Sequence, residues 1–376
     1  MHPLIDQEKQ QLAKRYHKDN LIVSIISNIV SVIFALFLLY FSVSKNFVNL
    51  LNGWINLRFF VILIYFAVVY VAYTSLTLPF VFLEGYKIEH KYSFSTQSLR
   101  AWFADVIKSF LVTFVLGAIV VEIIYSITLI STHLWWLWLS IIMIIFSVIL
   151  NNLFPVLILP LFYKTSPIEN EALKKRIAEI CAQTRINIKG VFSINLSSKT
   201  TKANAAVVGL GNTKKILLGD TLQRRYNEDE IIATLSHEII HDRERHIWWL
   251  VLGQSVITLI MFYFLYRIYT PFYAFSGFAE ISDPAAFPLL ALIFVILSFV
   301  FNPLSSSISR YYERKADKGA LKLTNNPDAF ISLMAKLCNE SLSIAYPNPL
   351  VEWYKYSHPS VGKRIKFAEK WKSAHA

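Results

Sequence analysis

Two histidines and a glutamate lie close together in residues 235–241, where His237, Glu238 and His241 form the pattern H-E-x-x-H. Residues four apart on a helix share a face and lie about 6 Å apart along the axis, so both histidines can bind one Zn²⁺. Glu238 then lies beside the ion, where its carboxylate can act as a general base towards a metal-activated water. The pattern therefore predicts a metal hydrolase site. A solvated helix face with two incidental histidines is the alternative.

The sequence around this pattern favours a helix that begins near Asn227. Asn227 can cap the helix, and Glu230 three residues later completes a capping-box pattern. Five apolar residues supply the buried side: Ile231, Ile232, Leu235, Ile239 and Ile240. Residues 242–246 then turn strongly polar.

A third metal ligand must come from elsewhere, because a catalytic zinc usually has three protein ligands and one open position. Glu313 is the best candidate, since a hairpin of two apolar segments separates it from His241 and can return it to the same side. Asp317, one helical turn later, can accept a hydrogen bond from a ligand histidine and fix its tautomer. The alternative for both acids is a helix surface paired with Arg310 and Arg314.

The composition indicates the environment in which these residues must be placed. The chain has 376 residues, of which 55% are hydrophobic and 16% charged, and its mean hydropathy is +0.45. These values exclude an ordinary soluble protein and predict a polytopic membrane protein with the lipid bilayer as its partner. The net charge of +12 then indicates basic loops on the cytoplasmic side, not a nucleic-acid-binding surface.

Six stretches are long and apolar enough to cross a bilayer core, which takes about 20 residues. They are residues 21–44, 59–83, 110–130, 134–162, 248–269 and 284–304, in rough bounds. Basic residues concentrate in the N-terminal tail and the second loop, so we expect both termini and the H-E-x-x-H helix to be cytoplasmic. The sequence thus divides into four parts: residues 1–162 with four spans, 163–247 with the metal helix, a hairpin at 248–304, and 305–376.

Residues 163–247 have the pattern of a small α+β unit. A helix over 170–184 precedes three strand-like runs at 190–196, 205–209 and 215–218, and Gly211 to Thr213 form the predicted hairpin turn. We expect a short antiparallel sheet. Beyond the last span, the serines at 305–307 are expected to break the apolar run, after which helices are predicted at 308–317, from Pro327 to about Asn339, and over 359–374.

Several motifs occur in an order that is typical of one protein family. They are Asn204-Ala205 with residues 215–222, Ser309-Arg310-x-x-Glu313-x-x-Ala316-Asp317, and His358-Pro359-Ser360 with Arg364-Ile365. Together with H-E-x-x-H they resemble the membrane-embedded CaaX prenyl proteases, which are integral-membrane gluzincin metalloproteases, and more distantly the HtpX-type proteases. The match covers most of the chain.

The resemblance implies a mostly helical membrane protein of six to seven spans with a small zincin-like catalytic domain. It implies one Zn²⁺ per chain, with Glu313 as the third ligand and Glu238 as the base. Asp317 becomes a histidine-orienting or proton-donating carboxylate. His358 and Arg364 would then face the substrate or the oxyanion.

An extended peptide substrate could add as a strand beside residues 203–208. Asn204 would anchor it; a simple turn residue is the alternative. The chain departs from the family at Ile239-Ile240, where smaller residues are common. The bulk of Ile240 is expected to alter packing against the helix that carries Glu313. Glu122 in the third span is expected to face an interior cavity or to form a helix-packing hydrogen bond.

Three functions fit these features. The first is a CaaX-type protease that acts on membrane-tethered peptides, prenylated ones among them, and the second is an HtpX-type quality-control protease for membrane proteins. The third is a membrane scaffold that binds a metal without turnover. The four spans before the metal helix favour the first. The C-terminus carries no evident retrieval signal, which favours a prokaryotic plasma membrane.

Overall fold

The computed structural model describes residues 2–209, 214–278 and 280–375. Helices fill the N-terminal part of the chain, five of them long and two of only three and four residues. They are α1 Gln7–Tyr40, α2 Val43–Trp54, α3 Arg58–Phe82, α4 Glu89–Lys91, α5 Leu99–Ile130, α6 Trp135–Leu153 and α7 Leu159–Phe162. Two π-helical segments, Leu83–Ile88 and Phe154–Ile158, connect α3 to α4 and α6 to α7. The second contains Pro155, whose missing N–H removes a helical hydrogen bond and allows this local widening.

A small α+β unit follows the membrane helices. Its elements are β1 Thr165–Pro167, α8 Glu171–Thr184, β2 Val191–Ile194, β3 Ala205–Val208, β4 Lys215–Gly219, α9 Asp220–Arg225 and α10 Glu228–Arg243. The sheet order is β1-β2-β4-β3. The predicted pairing of β3 with β4 is antiparallel, as expected, while the turn predicted at Gly211 to Thr213 lies outside the described residues.

The prediction of a purely antiparallel sheet is wrong. β1 was not predicted, and β2 pairs with β4 in parallel, Val191 opposite Ile216. The reason is the connection: after β2 the chain turns through the 3₁₀ segment Leu196–Ser198 and comes back as β3, so β4 runs in the direction of β2. β3 consequently lies at an edge of the described sheet, with one side free for a further strand.

The C-terminal part returns to the membrane and then adds further helices to the small α+β unit; the α+β unit and these added helices are called the catalytic unit below. It comprises α11 His246–Phe275, α12 Phe287–Thr324, α13 Pro327–Glu340, α14 Pro349–Lys355 and α15 Val361–His375. The prediction of a separate polar helix at residues 308–317 is wrong, because α12 is one continuous helix that includes these residues and the last span. The Ser307 hydroxyl donates to the Pro303 carbonyl and that of Ser305 to Gln254, so these serines are satisfied without ending the helix.

Within the described residues, six helices are long and apolar enough to cross a membrane, which confirms the six predicted spans. The four-part division of the chain stays a prediction, and α12 runs through its last boundary. A separate apolar core lies in the catalytic unit, where α8, the sheet, α10, α13 and α15 bury residues such as Ile177, Leu218, Leu235 and Phe330. The N-terminal tail contributes Ile5 to this core.

Candidate metal centre

The N-terminal end of α10 is fixed by its cap and by α13. The Asn227 side chain accepts from the Glu230 N–H, and the Glu230 carboxylate accepts from the Asn227 N–H, each at 2.9 Å. The capping box is therefore confirmed. Glu230 is fully buried, and Ser332 and Lys336 of α13 donate to it at 2.6 and 2.8 Å. These bonds stabilise the start of α10 against α13.

Three ligand atoms converge between α10 and α12. His237 Nε2 lies 3.1 Å from Glu313 Oε2 and 3.2 Å from His241 Nε2, and His241 Nε2 lies 3.5 Å from Glu313 Oε1. Bonds of zinc length in tetrahedral geometry would separate neighbouring ligand atoms by about 3.3 Å. Two imidazole nitrogens and a carboxylate at these distances therefore fit one metal ion, and the three residues form a possible metal site.

Asp317 lies behind His237 and is itself held by Arg364. Its Oδ1 is 3.0 Å from His237 Nδ1, although the N–H is not well aligned on that oxygen. Arg364 donates to both carboxylate oxygens, from Nε at 2.9 Å and from Nη2 at 2.5 Å. The bidentate pair orients Asp317, which is 2% exposed, towards the histidine. Asp317 is thus placed to select the tautomer that leaves Nε2 free for a metal.

The electrostatics of the site favour a cation. Burial acts to lower the pKa of His237, but the carboxylates of Asp317 and Glu313 outweigh it and raise this pKa to about 9. For Glu238, burial raises the pKa of the carboxyl above its ordinary value, opposed by His237 and His241. A carboxylate with a raised pKa is a better proton acceptor near neutral pH.

His358 lies in the loop that follows α14 and is close to the Glu313 carboxylate. Its Nε2 lies 3.3 Å from Glu313 Oε2, and its side chain is 54% exposed. The ring therefore lies at the open side of the three ligand atoms. The predicted contact of His358 with substrate stays a prediction, and so does that of Arg364, whose described partner is Asp317.

Asn204 lies just before β3. Its side-chain oxygen accepts from the adjacent Ala205 N–H at 2.9 Å, and its carbonyl accepts from the Gly219 N–H at 2.9 Å. These bonds fit a turn residue, and its predicted role as a substrate anchor remains untested. Beside β3 there is a cavity of about 370 Å³, lined by this strand and by the π-helical bend at Phe154–Ile158.

The sequence predicted no contact for two residues of the site, although His246 matches a further histidine of the family that the sequence resembles. His246, at the start of α11, is 1% exposed and packs its ring edge against His241 with centroids 5.1 Å apart. Gly319 in α12 lies against Ile240, and a Cβ at this glycine would approach Ile240 Cγ2 to 2.6 Å. The bulk of Ile240 is thus accommodated by a glycine on the third-ligand helix, which explains how the chain tolerates its departure from the family pattern.

A helical bundle in the membrane that carries two histidines and a returning glutamate has the architecture of an integral-membrane metallopeptidase. Residues 1–164 match the family model described as CAAX prenyl protease N-terminal, five membrane helices, and residues 167–372 match Peptidase family M48. The chain belongs to peptidase family M48 and is a membrane metalloprotease of that family. The family resemblance found in the sequence is confirmed. Membership of a peptidase family favours an enzymatic function over a non-catalytic scaffold.

Similar proteins support the same assignment. The chain is 33% identical to the uncharacterized metalloprotease YhfN of Bacillus subtilis (strain 168), over 90% of this chain and 80% of that protein. It is 28% identical to CAAX prenyl protease 1 of Saccharomyces cerevisiae, over 96% and 86% of the two chains. The crystal structure of S. mikatae Ste24p has the same fold, with a TM-score of 0.85, 24% identity, and coverage of 98% of this chain and 90% of that one.

Proposed function

We propose that the protein is a zinc metalloendopeptidase that binds one Zn²⁺ per chain through His237, His241 and Glu313. The observation that carries the proposal is the convergence of these three side chains between α10 and α12 at 3.1–3.5 Å. Bound zinc supplies a Lewis acid that acidifies water and polarises the scissile carbonyl. Asp317, held by Arg364, keeps His237 in the tautomer that binds.

The remaining steps belong to the side chains. Glu238 takes a proton from the attacking water while the water oxygen bonds to the scissile carbonyl carbon. Glu238 then passes that proton to the leaving amine as the C–N bond breaks. His358, on the open side of the ligand atoms, donates a hydrogen bond to the carbonyl oxygen while negative charge develops there. Arg364 holds Asp317, and its positive charge also acts on the negative charge that develops at the carbonyl oxygen.

For the substrate we propose an extended peptide from a membrane-associated protein. Such a peptide can add to the free edge of β3, where Asn204 and the groove beside the strand would hold it. Relatives of this chain are named CAAX prenyl proteases, which makes prenylated C-terminal peptides the first class to test. We further propose that the site and both termini are cytoplasmic, which the basic N-terminal tail and second loop support, and that the membrane is a prokaryotic plasma membrane, which the similarity to a Bacillus subtilis protein supports.

The experiment compares three substrates with the purified protein in liposomes. These are a farnesylated C-terminal peptide, the same peptide without the farnesyl group, and an unfolded membrane protein. We expect the farnesylated peptide to have the highest kcat/KM. If the unfolded membrane protein is cleaved best, the HtpX-type quality-control function is correct and the CaaX-type proposal is wrong.

A further inference from the structure

Helix α14 exposes apolar side chains outside the six membrane spans. Leu350 is 74% exposed and Trp353 is 52% exposed, and residues three apart share one face of a helix. Tyr346 and Val351 are also exposed. On the opposite side of α14, Glu352 is buried. Exposed apolar side chains grouped on one short helix are typical of a contact with another molecule or with a membrane.

Hydrogen bonds hold α14 against the sixth span. The Tyr354 hydroxyl donates to the Phe299 carbonyl at 2.8 Å, and the Asn302 side chain donates to the Tyr354 carbonyl at 2.7 Å. The Phe299 and Tyr354 rings also pack with centroids 4.8 Å apart. Phe299 lies in the sixth span and is 67% exposed. The exposed apolar side chains of α14 therefore lie beside the exposed apolar surface of that span, near the span's end.

The charges around α14 suit an anionic surface. Lys355 and Arg314 are exposed, and the Lys363 side chain is 65% exposed while its ammonium group pairs with the Glu352 carboxylate at 2.9 Å. A cavity of about 290 Å³ between α12, α14 and α15 is lined by four cationic side chains and two carboxylates: Arg310, Arg314, Lys363, Arg364, Asp317 and Glu352. Basic pockets beside membrane helices attract anionic lipid head groups.

We propose that α14 is an interfacial helix that docks on the anionic lipid surface of the leaflet facing the catalytic unit. Leu350 and Trp353 enter the head-group region, as Trp and Leu do on interfacial amphipathic helices. The neighbouring basic side chains contact lipid phosphates.

This docking is connected to the site by a clamp on the loop that carries His358. Arg310 of α12 donates to the Glu352 carbonyl at 3.1 Å and to the Tyr356 carbonyl at 2.5 Å. The Glu352 carboxylate accepts from the Ser360 N–H at 3.0 Å. Both ends of the loop are thus held by α14 and its partners. The lipid surface, by fixing α14, positions His358 beside Glu313; this consequence rests on the proposed function, whereas the docking does not.

Spin labelling tests the docking without any measurement of activity. Both native cysteines, Cys181 and Cys338, are buried, so a nitroxide can be placed at Leu350→Cys in liposomes containing phosphatidylglycerol. We expect collisions with oxygen to exceed those with a water-soluble nickel complex, as at the reference site Phe299→Cys. The exposed Glu179→Cys on α8 is the aqueous control. If the label at position 350 behaves like that at position 179, the proposal is wrong.

Peptide cleavage in two kinds of vesicle tests the consequence for the site. We expect the unmodified protein to be more active in vesicles with phosphatidylglycerol than in pure phosphatidylcholine. Lys355→Gln should reduce that activity ratio by about fivefold, the factor carried by one basic residue at an anionic surface, with unchanged bound metal. An unchanged ratio in this variant overturns the coupling. Absence of cleavage in both vesicle types would instead contradict the proposed function, and the spin-label result would stand apart from it.

Discussion

The interface between α10 and α12 differs sharply from the exposed apolar surface of α5. At the interface, charged or titratable side chains are buried and paired: His237 and Glu313 are each 7% exposed, and Asp317 is 2% exposed. On α5, apolar side chains are exposed, Val115 for example by 55%. Substitutions at the interface remove a partner from a buried polar group, whereas those on α5 exchange one apolar side chain for another in lipid. The chemistry of this protein therefore depends on a few specific side chains, whereas its insertion into the membrane depends on the apolar composition of its helices.

The largest effect is expected from Glu313→Ala. This change removes one of three converging ligand atoms and leaves His237 and His241 without their common partner. We expect bound metal to fall well below one per chain and peptide cleavage to be lost. Elemental analysis of the purified protein measures the first and a peptide assay the second. Glu179→Ala on the exposed face of α8 is the control, and full metal content in Glu313→Ala would exclude this residue as a ligand.

Asp317→Asn is expected to have the next largest effect. The amide keeps the shape but loses the charge that pairs with Arg364 and orients His237. Changes to such orienting partners typically cost about 10–100-fold in metal affinity or activity. Metal titration and kcat/KM measure the loss. Arg364→Gln made in the same chain should add little, because the two residues act as one unit; additive losses would contradict this coupling.

Gly319→Ala tests how tightly the two helices pack. Helix propensity alone predicts that alanine stabilises α12 by up to about 1 kcal/mol. The Cβ would, however, approach Ile240 to 2.6 Å, and overpacking costs about 1–3 kcal/mol, so we expect a lower free energy of unfolding. Thermal unfolding decides the sign. Combined with Ile240→Ala, which makes room, Gly319→Ala should be neutral or stabilising; destabilisation in both backgrounds would argue against this contact.

The smallest effect is expected on the exposed apolar surface of α5. Val115→Leu changes an exposed apolar side chain for another, and substitutions without special contacts usually change stability by less than about 0.5 kcal/mol. Thermal stability and kcat/KM should both stay at the level of the unmodified protein. A loss comparable to that of Gly319→Ala would remove the distinction between the two regions.

Features set by local sequence were predictable. The capping box at Asn227 and Glu230, the H-E-x-x-H helix and the six apolar spans depend on residues close together in the chain, and the structure has all of them. The motif around Glu313 also indicated its neighbourhood, because the two intervening spans must return the chain to the side it left.

Features set by distant contacts were not predictable. The parallel pairing of β2 with β4 depends on the path between them, and the continuity of α12 through three serines depends on packing against α11. The Arg364–Asp317 pair joins residues on different helices. The need for a glycine at position 319 becomes evident only when α10 and α12 are packed together, because Ile240 then lies opposite it. No local pattern specifies such pairings.

The measurement that tests the central claim most directly combines peptide cleavage and metal content in Glu238→Gln. Glu238 follows His237 directly in the chain and is not one of the three residues that could hold a metal ion, and a general base contributes about 10²–10⁴-fold. We predict that the variant retains the metal of the unmodified protein and loses cleavage by a factor in this range. Cleavage at the rate of the unmodified protein, with the metal retained, would contradict the assignment of Glu238 as the base.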